Sequence, residues 1–372
     1  MKVAFVSSLN GGVGTFTINM VQELAQDIEN IDLYLFAHKG VSRDLDLVHF
    51  PRNVRVILLE RSGLPLMLKL FLHIRDFKYC GLVHTNYASF LPPLYFVKKI
   101  WKVPIIYTSH TIPQPEIEKG IFKVAYLLEK ILSKYAVGIV DEHVVVSNYI
   151  KNYFLTKYNV DSTVIYNGIN VDKFVHHDEQ VRQNIRCELG IRDQENAVLF
   201  VGSFNRYKNI LTLIDSMPQI LKQYPNTKFI LIGSGDLYNQ ALSKIQGYEI
   251  ERQVILIKNV PNIADYYCAS DIFVLPSINE MFGIVLLEAM ASGLPIVASN
   301  GGAIPEVIEN AGVLFNPDSS DELASAIIKV ICDKSLASKL RKMGKDIVNR
   351  YTWKSASRRY LEKYNRLIRG SA

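Results

Sequence analysis

Long apolar runs, paired cysteines and internal repeats are all missing from this 372-residue chain, and each absence excludes a class of protein. The longest apolar stretches, 64–72 and 284–298, are short or broken by Lys69 and Glu288. Neither reaches the ~18 uninterrupted residues of a membrane-spanning helix. Lys2 leads straight into a strand-like run, so no secretory leader is expected and the location reads as cytoplasmic. The four cysteines, Cys80, Cys187, Cys268 and Cys332, show no C-x-x-C spacing. That argues against a zinc ribbon or a disulfide framework and reads all four as buried small side chains. No fixed-period repeat or low-complexity segment is present. What remains is 49% hydrophobic and 21% charged, an ordinary folded composition. At roughly 100–200 residues per domain the length predicts two domains.

The net charge of +6 is unevenly placed. Residues 339–372 hold eleven Lys or Arg and two Asp or Glu, a net +9, so the rest of the chain carries −3. Such a segment is either a solvated helix face or attracted to an anionic partner, lipid headgroups or nucleic acid. No basic motif interleaved with aromatics supports nucleic acid, and no nucleic-acid partner is expected.

Short apolar runs ending in Gly, Ser, Asn or His alternate with helical periodicity throughout. In the first half the strand expectations are 3–7, 33–37, 54–59, 81–84, 104–108, 143–147 and 163–166. The pattern pauses at Asn167-Gly168 and through a polar stretch, 172–192. It restarts with 197–201, 228–233, 254–257, 272–275, 295–298 and 312–315. Strands alternating with helices make βαβ units, hence an α/β fold of two Rossmann-like, doubly wound domains facing a cleft. The boundaries expected are 1–167 and 168–352. Ligands of such sheets sit beyond the carboxyl ends of the strands.

The loops at those ends carry the chemistry. After the first strand comes Gly11-Gly12-Val13-Gly14, where backbone amides can approach a phosphate at a helix start. A nicotinamide site fits poorly: Thr17 stands where a third Gly belongs, and no acid follows the second strand. Arg206 and Lys208 stand just beyond the strand 197–201, placed to meet a phosphate. In 276–297 Glu280 precedes a helix and Glu288 lies inside it among Leu286, Leu287, Ala289 and Met290. A carboxylate in that company is costly without a partner. His110 and His84 each end an apolar strand; His110 is read as functional and His84 as structural or acceptor-lining. Asp44-Leu45-Asp46 is a D-x-D triplet, read as surface, so no metal site is expected.

The chain resembles the retaining, nucleotide-sugar-dependent glycosyltransferases of family 4, with the GT-B fold. The E-x7-E signature is met by Glu280 and Glu288, with further matches at 11–14, His110, 166–174, Lys208, 230–236 and 301–308. The resemblance covers residue 2 to about Tyr360. It implies transfer of a hexose-type sugar from a UDP- or GDP-linked donor to a glycan or glycolipid hydroxyl, with the donor as substrate and no cofactor. Glu288 would hold the ribose hydroxyls, Glu280 the transferred sugar, and amides near Phe282, Gly283 and Ile284 the sugar and diphosphate. Gly12 and Lys208 would face the diphosphate, His110 the reacting sugar, and the backbone near Val260 the base. Ser203 stands where the family has Arg, and Arg206 would replace it. Rival readings are a GT-B phosphorylase, a nucleotide-sugar epimerase, or a nucleic-acid-binding protein. The family's last helix, here 353–372, would cross back to the acceptor-binding first domain. Peripheral contact with an anionic membrane is expected from the basic tail and from a helix in 64–77 presenting Leu66, Leu70, Ile74 and Phe77 on one face.

Overall fold

A computed structural model describes residues 1–9, 11–37, 49–60, 70–112, 138–175 and 178–371. The chain forms two units, residues 1–168 with 353–372, and residues 169–352.

The first unit is a parallel sheet in the order β3-β2-β1-β4-β5-β6-β7. Its strands are β1 (Lys2–Ser8), β2 (Asn30–Ala37), β3 (Val54–Glu60), β4 (Leu82–Thr85), β5 (Ile105–Ser109), β6 (Glu142–Val145) and β7 (Thr163–Val164). The register runs Val3 beside Ile31 on one side and beside Leu82 on the other. Ala4, Val6, Val83 and Ile105 belong to a buried cluster with Leu91, Leu94 and Val97 of the helix Leu91–Trp101. On the other side Phe5 meets Phe16 and His84. There the helix Gly11–Leu24 packs against the terminal helix Trp353–Ser371.

The terminal helix is fixed by polar as well as apolar contacts. Trp353, Tyr360 and Tyr364 are buried. Tyr364 Oη lies 2.5 Å from His84 Nδ1, Tyr360 Oη 3.1 Å from Thr108 Oγ1, and His84 Nε2 2.7 Å from that same hydroxyl. Both ring nitrogens of His84 are therefore engaged by the fold. Lys363 and Arg366 donate to Glu142 of β6, so two cations of the basic tail are used inside this unit.

The second unit is a six-stranded parallel sheet, β10-β9-β8-β11-β12-β13. Its strands are β8 (Asn196–Val201), β9 (Thr227–Ile232), β10 (Val254–Ile257), β11 (Ile272–Leu275), β12 (Ile296–Ser299) and β13 (Gly312–Phe315). The inner strands β8, β9, β11 and β12, mostly buried, are nearly continuous apolar runs, while the edge strands β10 and β13 are largely half-buried. In both sheets the strand order reverses once, between β1 and β4 and between β8 and β11. Such a switch point opens a crevice beyond the strands' carboxyl ends.

Three expectations need correction. The polar stretch 172–192 contains a helix, Glu179–Glu188, capped by Asp178. Its inward residue is Arg186, which donates to Asp271 and to the carbonyls of Ala269, Arg192 and Glu195. An arginine doing the work of a core residue leaves no apolar stripe to read. Only Cys80 of the four cysteines is buried; Cys187 and Cys332 are exposed and Cys268 half-buried. Finally, Leu70 and Phe77 are fully buried and Ile74 packs against the same core, so the face expected on a membrane is turned inward. Leu66 and Lys69 lie outside the described residues.

Candidate functional site

At the switch point of the second unit, the loops after β8 and β11 are joined: the Ile278 amide donates to the Tyr207 carbonyl at 2.8 Å. The Lys208 amide is held by Asn205 Oδ1 at 3.0 Å, and the Lys208 ammonium donates to Glu280 Oε2 at 2.5 Å. Ser277 Oγ donates to the same carboxylate oxygen at 3.2 Å. Two of the residues singled out in sequence, 72 positions apart, thus form one buried or half-buried ion pair.

The backbone of that loop is clamped from behind. The Ala303 amide donates to the Glu280 carbonyl at 2.7 Å, and Ser299 Oγ to the Ser277 carbonyl. Gly302, with φ +63°, lies so close that a Cβ would stand 2.1 Å from the Glu280 oxygen. Only glycine fits there. This is a physical reason for the G-G-A-I-P-E segment, to which sequence reasoning assigned no task. Its signals in sequence were the repeated Gly-Gly and the family match at 301–308.

Beyond Glu280, the helix Ile284–Ala291 starts at Gly283 with no side chain capping its first amides. Uncapped amides at the positive end of a helix suit an anion. Phe282 is buried and packs edge-on against Tyr351 at 5.9 Å. Ile284 is half-buried. Glu288 accepts a 2.8 Å hydrogen bond from the Tyr267 hydroxyl. Burial raises the Glu288 pKa above the usual carboxylate range, opposed by Tyr267 and by the charge of Lys173. Phe174, beside Lys173, packs edge-on against the Tyr267 ring at 5.7 Å. Phe174 thereby packs behind Tyr267, which holds Glu288 and which sequence reasoning missed. Arg206 is exposed and makes no ion pair among the described residues, while Val260 is half-buried after β10.

The switch point of the first unit is built from neutral groups. Asn86 Nδ2 donates to Ser7 Oγ at 2.8 Å, and Ser7 Oγ lies 2.6 Å from Thr17 Oγ1. His110 Nε2 is 3.3 Å from Asn86 Oδ1, with its ring edge-on to Phe16 at 4.5 Å. Burial pushes the His110 pKa down to about 3, so the ring is neutral at pH 7. With its proton on Nε2 toward Asn86, its Nδ1 is an acceptor. Gly12 is exposed in the first turn of the helix Gly11–Leu24, with nothing within 4 Å of where a Cβ would be. Among the described residues no three His, Cys, Asp or Glu converge to hold a metal, and Asp44 and Asp46 lie outside them.

Residues 10–173 match the model for Glycosyltransferase Family 4, and residues 181–347 that for Glycosyl transferases group 1. A D-inositol 3-phosphate glycosyltransferase of Corynebacterium kroppenstedtii is 24% identical over 96% of this chain and 86% of its own length. An uncharacterized glycosyltransferase of Methanocaldococcus jannaschii is 32% identical over 54% of this chain and 53% of its own length. The Anabaena protein HepE, solved with UDP and glucose, shares the fold at a TM-score of 0.84 and 22% identity, covering 98% of this chain and 99% of that one. The two models lie end to end across both units, and the chain belongs to the family 4 type of glycosyltransferases, an enzyme with the two-domain GT-B fold.

Proposed function

We propose that the enzyme takes a hexose-type sugar from a nucleoside diphosphate, UDP- or GDP-linked, and passes it with retention to a glycan or glycolipid hydroxyl. The observation that carries this reading is the Lys208–Glu280 pair at the second unit's switch point, next to the uncapped helix Ile284–Ala291. A diphosphate there meets an ammonium and helix amides that no side chain caps, which stabilise the charge that grows on the leaving group. When the bond from the sugar's anomeric carbon to the diphosphate breaks, a bond to the acceptor oxygen forms on the same face, and the hydroxyl proton passes to the departing diphosphate oxygen. Lys208 supplies the positive charge a divalent ion supplies elsewhere, so the reaction is read as metal-independent. Glu288, held by Tyr267, accepts the ribose hydroxyls, a use for a carboxylate whose burial is otherwise costly. Val260 borders the base, and Arg206 and Gly12 reach the diphosphate or sugar. In the first unit, His110 offers a neutral acceptor to a sugar hydroxyl. The UDP and glucose in HepE, and the glycosyltransferase name of the Corynebacterium relative, agree with a nucleotide-sugar donor.

The test is a screen of UDP- and GDP-sugars for thermal stabilisation, then NMR of the product's anomeric configuration. A ligand at about 100 times its Kd adds about 2.7 kcal/mol. Stabilisation by none, inversion at the anomeric carbon, or activity lost to a chelator and restored by manganese would each overturn the matching part of the reading.

A further inference from the structure

Five of the twelve large hydrophobic side chains exposed among the described residues lie on the helix Leu91–Trp101 and on the segment 72–79, whose 3-10 turn packs against that helix. Tyr95, Phe96 and Ile100 stand on the outer side of the helix Leu91–Trp101, whose inner side buries Leu91, Leu94 and Val97. Ile100 is 61% exposed. Phe96 meets Phe71 at 5.9 Å between ring centres, and Leu72, next in the chain, is 74% exposed. The helix also packs against the 3-10 turn Ile74–Tyr79, where Tyr79 is 74% exposed.

The charges around these side chains are mostly of one sign. Lys99 stands over the Tyr95 ring at 5.6 Å and Lys78 over the Tyr79 ring at 5.5 Å. Lys102 and Arg75 are exposed beside them. Asp76, on the same turn, pairs with His73, and Asp141 pairs with Lys98. Exposed apolar side chains in one patch are unusual on a surface that faces only water. A helix side carrying Tyr, Phe and Ile, flanked by lysines whose ammonium groups sit over aromatic rings, matches the boundary between lipid headgroups and acyl chains. Cations near such a surface add attraction to anionic lipid.

We infer that this surface, Leu72, Tyr79, Tyr95, Phe96 and Ile100 with Lys78, Lys99 and Lys102, docks the enzyme on an anionic lipid bilayer. The inference rests on the reading of a glycolipid acceptor and locates the membrane contact in the first unit. It replaces the helix face expected in 64–77, since Leu70 and Phe77 are buried in the core, and it does not depend on the basic tail, two of whose cations, Lys363 and Arg366, are bound to Glu142.

The experiment is co-sedimentation of the full chain with vesicles of phosphatidylglycerol and phosphatidylcholine, and with phosphatidylcholine alone, at 0.1 and 0.5 M NaCl. Three variants are compared: Phe96→Ser/Ile100→Ser, Lys99→Glu/Lys102→Glu, and Leu155→Ser as an exposed control elsewhere on the unit. Wild type and the control should bind the anionic vesicles, with binding reduced at high salt. Each double variant should bind at least tenfold more weakly while keeping its melting temperature and its release of nucleoside diphosphate from soluble donor. No binding by wild type, binding indifferent to lipid charge, or undiminished binding by both double variants would overturn the docking surface. Release of nucleoside diphosphate reads the transferase assignment separately, so an active enzyme that ignores vesicles fails this inference alone.

Discussion

The two units share one plan, a parallel sheet with a single switch point, yet they bury different chemistry there. At the first unit's switch point Ser7, Thr17 and Asn86 are buried and hydrogen-bonded to one another, with the neutral His110 imidazole against Asn86. That of the second holds the Lys208–Glu280 pair, with Glu288 farther along the adjoining helix. Neutral donors and acceptors suit hydroxyl-rich ligands, whereas a fixed cation and helix amides that no side chain caps suit a diphosphate. The same topology thereby carries a neutral network in one unit and an ion pair in the other, the difference on which the proposed acceptor and donor roles rest.

The sharpest way to break that division is Lys208→Ala. It should lower turnover by on the order of 10²–10³, whereas Asn86→Ala should leave nucleoside diphosphate affinity within about twofold. Equal loss of nucleotide affinity in both variants, read by calorimetry, would erase the distinction.

Stability provides the next contrast. Tyr364→Ala removes a fully buried ring and leaves His84 Nδ1 without its partner, so it should destabilise the first unit by about 3–5 kcal/mol. Both tryptophans, Trp101 and Trp353, belong to that unit, so their fluorescence reports it selectively. A Tyr364→Ala fluorescence transition unmoved in urea would contradict the packing described.

Acid should separate the units in the same signal. Burial holds His84 well below its ordinary 6.5, His110 at about 3 and His143 at about 4. Their folded values are depressed, so the stability they support is full above pH 6.5 and is lost as pH falls toward 4 and 3, where the unfolded chain binds protons the folded unit refuses. Glu288 in the second unit is shifted the opposite way, and its burial is relieved by protonation. Tryptophan fluorescence should therefore change at a higher pH than the bulk of the far-ultraviolet dichroism; coincident transitions would refute this.

The smallest effect expected is that of Tyr267→Phe. Losing one hydrogen bond to Glu288 should weaken donor binding by about 1 kcal/mol, severalfold in Kd. Because that bond lowers the Glu288 pKa, the acid limb of donor binding should also move to higher pH. An unmoved limb would mean that Tyr267 only packs.

The thirteen strands among the described residues were legible because parallel strands are short apolar runs punctuated by Gly, Ser or Asn; 254–257, 272–275 and 312–315 coincide with β10, β11 and β13. The helix Glu179–Glu188 was not, because Arg186 stands where an apolar residue would have marked its inner face. Lys208 and Glu280 could be picked out singly as charges at strand ends, but their pairing depends on β8 lying beside β11, which strand order alone decides. Tyr267 was hidden for a related reason: a buried tyrosine looks like core until its hydroxyl is seen on a carboxylate. The apolar run 64–77 showed amphipathic spacing, yet spacing does not say whether the face meets protein or lipid.

The most direct test of the donor assignment is calorimetric binding of the nucleoside diphosphate that stabilises the enzyme, compared with its 2′,3′-dideoxy analogue, to wild type and to Glu288→Ala. Wild type should prefer the ribose form by about tenfold or more, and Glu288→Ala should bind both forms with nearly equal, weakened affinity. A ribose preference that survives intact in Glu288→Ala would contradict the account.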